Sequence, residues 1–320
     1  MAKKAEPAEE RFGVALTNLD QPLFDGAEAT KRDLVDYLDG VRDRILPVLR
    51  DRPLSVIRVR AGQAPFMQKN VPSYTPDWVR TVTMWAEASK RDVSYALCND
   101  RRTLLWFANQ RAVEYHPALV RADSWTHVTH LILDLAPPDG GQFDQVVAAA
   151  GLVKQALTDL GLEGAVKTSG SKGMHIFVPV VRDVSIEDVA AATRAVAHRA
   201  ERVDPSIGTT AFIKEDRGGK VFLDSTRAGG ATVVAAYSPR VRPGATVSFP
   251  VAWSDLDRVH PRDFTIRTAL DLLGDRDPWT ELMPKPQHLP PELLAEGHAI
   301  PIARVAAMHE GKRRARAKRA

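Results

Sequence analysis

The chain is short of several things, and each shortage removes a class of protein. It has a single cysteine, Cys98, so it can form neither an intrachain disulfide nor a cysteine-based zinc site. No apolar run approaches the roughly 20 residues that span a bilayer. The opening MAKKAEPAEERFG has two lysines but no apolar stretch behind them, so it does not read as a secretory signal, and a reducing, cytoplasmic setting is expected. No Lys-x-Asp-Gly, Gly-x-Ser-x-Gly or His-Glu-x-x-His occurs, which disfavours ATP-dependent ligases and the hydrolases those motifs mark. Strong charge of one sign is missing as well, since 44 Lys+Arg stand against 40 Asp+Glu.

The 320 residues are 44% hydrophobic and 26% charged, an ordinary globular composition. The net charge of +4 is local: Lys312–Ala320 holds Lys312, Arg313, Arg314, Arg316, Lys318 and Arg319 with no acid. Without that tail the balance is 38 against 40, or −2, so the sequence pI of about 9.2 belongs to the tail. The tail suits attraction to phosphate backbones, or it is a solubilising end.

Residues 1–12 read as disordered. Thr30 and Asp33 form a capping box before Leu34, Tyr37, Leu38 and Val41 at helical spacing. Leu54–Val59 alternates like a strand, residues 69–76 make a Pro/Ser/Asn loop, and Leu104–Tyr115 reads as a helix stopped before Pro117. His127–Asp134 reads as a strand, Phe143–Leu160 as a helix stopped by Gly161, and Ala165–Thr168 and His175–Val181 as strands around a polar turn. Ser185 and Asp188 open a helix to about Val203. Lys220–Asp224 and Thr232–Tyr237 read as strands around a Gly-rich turn, and Phe264–Leu273 as a helix. The proline-rich residues 284–301 read as an extended arm outside the core, with a short helix near the tail. The expected whole is one large α/β body, in one lobe or two, with 13–283 the main domain, 284–311 the arm and 312–320 the tail.

Asp134 and Asp224 each end an apolar strand beside a turn, where a carboxylate is either fixed for a metal ion or caps the turn. Between them lies Lys167-Thr168-Ser169-Gly170-Ser171-Lys172-Gly173-Met174-His175. Its amides, serines, lysine and histidine could cradle a triphosphate, or it is an ordinary hairpin tip; it is not a P-loop. Arg240 and Arg242 are placed either to fork a phosphate or to form salt bridges. His116 fits either a core histidine or a sugar-hydroxyl contact.

Taken in order, several pieces resemble the polymerase domain of bacterial ligase D, in the archaeo-eukaryotic primase superfamily. They are Leu16–Asp20, Phe66–Asn70, Pro76-Asp77-Trp78, Glu114–Pro117, Leu133-Asp134-Leu135, Lys167–His175, Val221–Asp224, Tyr237–Arg240 and Trp253. The resemblance runs from about Leu16 to Met283 and looks like a stand-alone version, without the fused ligase and nuclease. It implies a primase-like α+β fold with mixed or antiparallel sheets flanked by helices. The implied activity is template-directed addition of ribo- or deoxyribonucleotides at a 3′ end in non-homologous end joining. It also implies two divalent ions, Mn2+ or Mg2+. The implied partners are gapped or recessed DNA ends with a 5′-phosphate, nucleoside triphosphates, Ku and a separate DNA ligase, and the implied place is the nucleoid.

Carried over residue by residue, Asp134 and Asp224 match metal-binding catalytic carboxylates. Ser169, Lys172, His175 and Arg240 match triphosphate contacts, and His116 a residue at the incoming nucleotide. Phe66, with Lys69 beside it, matches the DNA contact, and Lys31 the holder of the 5′-phosphate. Four departures stand out. Ala136 replaces the second carboxylate of the family's Asp-x-Asp, and Gln21 replaces a usual phosphate-binding lysine. Met67 replaces an aromatic, and Ser225-Thr226-Arg227-Ala228 lacks the usual aromatic and asparagine. The expectation is therefore a polymerase with reduced or lost chemistry; the alternative is a catalytically inactive module binding DNA ends or nucleotides.

Overall fold

The run His130–Ala136 (HLILDLA) is apolar on both alternating sets of positions, the pattern of a strand covered on both faces. In the structure, a computed structural model describing residues 9–60, 62–86, 90–228, 231–302, 308 and 310, it is that strand: Leu131, Ile132, Leu133 and Leu135 are fully buried. The chain divides into two units, Met1–Asp123 with Thr232–Phe249 and His260–Pro278, and Ser124–Ala231 with Pro250–Val259 and Trp279–Ala320.

In the second unit His130–Ala136 is a central strand of a six-stranded sheet. Met174–Pro179 pairs antiparallel on one side, followed by Ala165–Thr168 and Pro250–Val251. Val221–Asp224 pairs antiparallel on the other side, followed by the parallel Gly208–Thr209. Helix Phe143–Thr158 packs on this sheet through Val146, Ala149, Val153 and Leu157, and Gly161 (φ +66°) supplies the left-handed stop. Helix Ile186–Val203 begins at the reciprocal Ser185/Asp188 box, as its sequence predicts. The proline-rich segment differs from the expected arm. Its helix Pro291–Ala299 lies on Ile186–Val203, and Leu293 is fully buried. A Cβ on Gly297 would fall 2.0 Å from the Ala191 carbonyl oxygen, so only glycine permits that approach. The prolines shape the path to this helix; they do not keep it out of the core.

In the first unit the Thr30/Asp33 box opens Lys31–Gly40, and Arg42–Leu49 follows. Strand Pro53–Arg60 is the hub of a five-stranded sheet and pairs with Gln63–Gln68, Arg91–Leu97 and Ala112–Pro117; Thr81–Ala86 pairs with Arg91–Leu97.

Four further expectations need correcting. Leu104–Tyr115 is not one helix. Helix Arg101–Asn109, capped by Asp100, ends at a turn where Arg111 takes φ +58°, and Ala112–Pro117 is a strand, so His116 is a strand residue. Thr232–Tyr237 forms no strand beyond one isolated bridge at Thr232. Its backbone instead donates from Ala235 N to Tyr115 O and from Tyr237 N to Ser248 O, and Tyr237 sits at φ +67°. Of Phe264–Leu273 only Ala269–Leu273 is helical. The N-terminus is ordered from Glu9, where Glu9–Arg11 pairs with Val14–Leu16. Residues 1–8 and the basic tail 312–320 lie outside the described residues. Among the described residues no helix is long and apolar enough to cross a membrane.

Candidate functional site

Register builds the carboxylate site in the second unit. Asp134 lies directly opposite Asp224 on one neighbouring strand and opposite His175 on the other, and His175 lies opposite Lys167. Directly paired residues share a face, so Asp224, Asp134, His175 and Lys167 form one polar row across four strands. Like charges placed opposite each other repel; Lys167 in the row and Arg227 from the turn after Asp224 set positive charge against that repulsion. His175 Nε2 is 3.4 Å from Asp134 Oδ1, and the fully buried Lys167 places Nζ 2.8 Å from His175 Nδ1. An ammonium at Nδ1 leaves the proton of a neutral imidazole on Nε2, toward Asp134. Arg227 Nη2 is 3.4 Å from Asp134 Oδ2, and its Nε is 3.6 Å from Asp224 Oδ2. Burial alone would raise the Asp134 carboxyl; His175, Arg227 and Lys167 outweigh it and hold it at about 2.

Asp224 also caps its turn, as the bland reading of a strand-end aspartate anticipates. Its Oδ1 accepts from Thr226 N at 2.8 Å and Thr226 Oγ1 at 2.6 Å. Its other oxygen faces Arg227. Ala136, on the Asp134 face two residues on, offers only a methyl group. Among the described residues no group of three or more His, Cys, Asp or Glu side chains is placed to hold a metal ion.

The hairpin after Thr168 is tied down from within. Ser169 Oγ accepts from Ser171 N at 3.2 Å and Gly173 N at 3.1 Å, and Ser169 N donates to Gly173 O. Gly170 takes φ +66°. A Cβ on Gly173 would lie 2.0 Å from the Leu135 carbonyl oxygen, so the hairpin rests on the central strand only because this residue is glycine. Lys172 stays exposed at the tip. Ser169 is thus an organiser of the loop, and Lys172 is its outward charge.

The first unit holds a second cluster. Glu114 and His116, two apart on Ala112–Pro117, share a face, and Glu114 is buried with only 4% of its side chain exposed. Its Oε2 meets His116 Nε2 at 2.8 Å and Arg240 Nε at 3.1 Å, and its Oε1 accepts from Val241 N at 2.8 Å. Burial pushes the Glu114 carboxyl up, but these partners pull it down to about 2. The Tyr237–Arg240 segment is held beside this strand because Tyr115 N donates to Ser238 Oγ and Ala235 N donates to Tyr115 O.

Lys31, the first residue of its helix, is buried, and its ammonium donates to Thr17 O at 2.5 Å and Asn109 Oδ1 at 2.7 Å. Burial, with the Arg111 charge nearby, lowers it to about 8. Arg111 reaches Gln21 Oε1 at 3.5 Å and the Pro22 and Leu23 carbonyls. Phe66 is half-buried on its strand beneath the Arg58 and Arg60 guanidiniums, at 5.7 and 4.9 Å from the ring centroid; Lys69 and Met67 are exposed.

Three residues of these clusters escape sequence reading: Lys167, Glu114 and Arg227. Only Glu114 carries a local signal, its two-residue spacing from His116 on a strand.

Comparison with known proteins follows the same lines. The family model for the LigD primase-polymerase domain matches residues 30–279. The chain is 31% identical over 280 residues to the bifunctional non-homologous end joining protein LigD of Bacillus subtilis, covering 86% of this chain and 45% of that protein. It is 32% identical over 260 residues to the multifunctional non-homologous end joining DNA repair protein LigD of Mycobacterium tuberculosis, covering 76% of this chain and 33% of that protein. The chain thus spans less than half the length of these relatives. The solved polymerase domain from Mycobacterium tuberculosis ligase D in complex with DNA superposes with a TM-score of 0.75 at 30% identity, covering 85% of this chain and 98% of that one.

Proposed function

The chain belongs to the LigD primase-polymerase domain family, and from that premise we propose that it extends 3′ ends of broken DNA by templated nucleotidyl transfer in non-homologous end joining. The observation that supports this most is the register pairing Asp134 with Asp224 on one sheet face, next to a glycine-dependent hairpin. Two carboxylates are hard oxygen donors of the kind Mn2+ and Mg2+ accept, and repulsion between them favours a cation at the pair. They fit one divalent ion held by Asp134 and Asp224, which when bound supplies Lewis-acid stabilisation of the transferring phosphoryl group.

The chain's own residues do the rest in this reading. Lys172 is a phosphate contact of the second unit and Arg240 one of the first, and Ser169 shapes the loop that presents Lys172. His175, oriented by Lys167, holds Asp134. Glu114 aims His116 at the incoming nucleotide and steadies Arg240. Phe66 and Lys69 contact DNA; Lys31 holds the position that the family resemblance gives to the 5′-phosphate, with its ammonium buried against Thr17 O and Asn109 Oδ1. Ku and a separate DNA ligase are the proposed protein partners, in the cytoplasm at the nucleoid.

Ala136 lowers the rate. A unit charge at ~4 Å in an effective dielectric of ~20 is worth ~4 kcal/mol, and a third of that is tenfold in rate. Ala136 and the contacts of Arg227 with both carboxylates favour a second reading, a non-catalytic module that holds ends or nucleotides. Primer extension on a recessed duplex with Mn2+ separates the two. Incorporation lost in Asp134→Asn supports the polymerase. Nucleotide binding without any incorporation supports the module.

A further inference from the structure

The cation at the carboxylate pair is already part of the chain. Asp134 and Asp224 contribute two negative charges, and Arg227 sets one positive charge against an oxygen of each. The turn brings it there. Thr226 engages Asp224 Oδ1 from both its N–H and its hydroxyl, and the following residue places its guanidinium at Oδ2. Both contacts, at 3.4 and 3.6 Å, are longer than the 2.7–2.9 Å of charge-assisted hydrogen bonds, so charge and not a shared proton holds the group. The side chain is 42% exposed and can leave toward solvent without breaking a core. A guanidinium keeps its charge at any working pH, so only displacement removes it. Lys167, the row's own cation, lies with His175 on the far side of Asp134 from Asp224.

We propose that Arg227 is the resident cation of the Asp134–Asp224 pair and the direct competitor of a divalent ion for it, so that this residue sets how tightly the chain takes metal. The inference rests on the reading that the pair accepts such an ion. It makes Arg227 a positioning residue: in the metal-free protein it offsets one of the pair's two negative charges, and a bound ion would have to displace it.

The test is a titration of Mn2+, read from the paramagnetic resonance of the free ion, without nucleotide or DNA. The proteins compared are wild type, Arg227→Gln, Arg227→Lys and the double variant Arg227→Gln/Asp134→Asn. Arg227→Gln should bind at least tenfold more tightly than wild type, Arg227→Lys should stay within threefold, and the gain should vanish in the double variant. Thermal melts in chelator give the second readout: Arg227→Gln should melt below wild type, and Mn2+ should raise it by more. Equal affinity of wild type and Arg227→Gln, with binding lost in Asp134→Asn, overturns the competitor role and leaves the metal reading standing. Absence of any Asp134-dependent binding overturns both.

Discussion

Replacing Glu114 by Gln tests how the first unit's cluster is held. The buried carboxylate meets His116, Arg240 and the Val241 amide at once, and its carboxyl lies at about 2 instead of 4.5. A lowered carboxyl favours the folded ionised form; at roughly 1.4 kcal/mol for each pH step between the two values, the gain is about 3 kcal/mol. That gain is complete above the unfolded value of 4.5 and drains away as pH falls toward 2. The amide keeps one acceptor for Val241 but turns an N–H₂ toward Arg240 or His116, so most of the gain is lost. In urea unfolding at pH 7 the variant should be less stable by roughly 2–3 kcal/mol, with the melting temperature down by roughly 5–10 °C. At pH 3.5 the deficit should shrink by roughly half, because the wild type has by then lost about 1.4 kcal/mol of its own. A deficit equal at pH 7 and 3.5, or one below ~1 kcal/mol at pH 7, would refute the claim that Glu114 is an ionised keystone.

Gly173→Ala should cost more than ~2 kcal/mol, because its Cβ would meet a backbone oxygen that cannot swing away; Gly151→Ala, with nothing within 4 Å, should gain ~0.5–1 kcal/mol, and thermal melts of the two decide it. Lys172→Ala and Arg240→Ala should each weaken nucleoside triphosphate binding severalfold by calorimetry with Mn2+; unchanged affinity removes that residue from the role. Deleting residues 312–320 should flatten the log–log salt dependence of duplex binding by roughly 3–4, if about four of the six basic side chains engage; an unchanged slope places the DNA footprint elsewhere.

Sequence disclosed what is local. The Thr30/Asp33 and Ser185/Asp188 boxes mark helix starts because the partners lie three residues apart, and Gly161 marks a stop because only its φ fits. The strands carrying Asp134, His175 and Asp224 were legible from apolar runs between turns. The break between Phe107 and Tyr115 was not, because apolar residues continue on both sides of a turn made without Gly or Pro, with Arg111 in the left-handed region. Thr232–Tyr237 misled because its apolar residues are buried while its backbone bonds scatter, Ala235 N to Tyr115 O and Tyr237 N to Ser248 O, and build no ladder. Lys167 and Arg227 were illegible as site residues, since a charge on a strand or turn gains its role from register. Lys167 joins the site through its pairing opposite His175, and Arg227 joins two strands that are 80 residues or more apart in the chain.

The central claim is that Asp134 and Asp224 form a nucleotidyl-transfer site limited by Ala136. Single-turnover primer extension with Mn2+ by Ala136→Asp, beside wild type and Ala136→Asn, tests it most directly. The restored carboxylate should speed incorporation at least tenfold over wild type, and the isosteric amide should not. An Ala136→Asp rate equal to or below wild type, in a protein that binds nucleotide normally, would contradict the account.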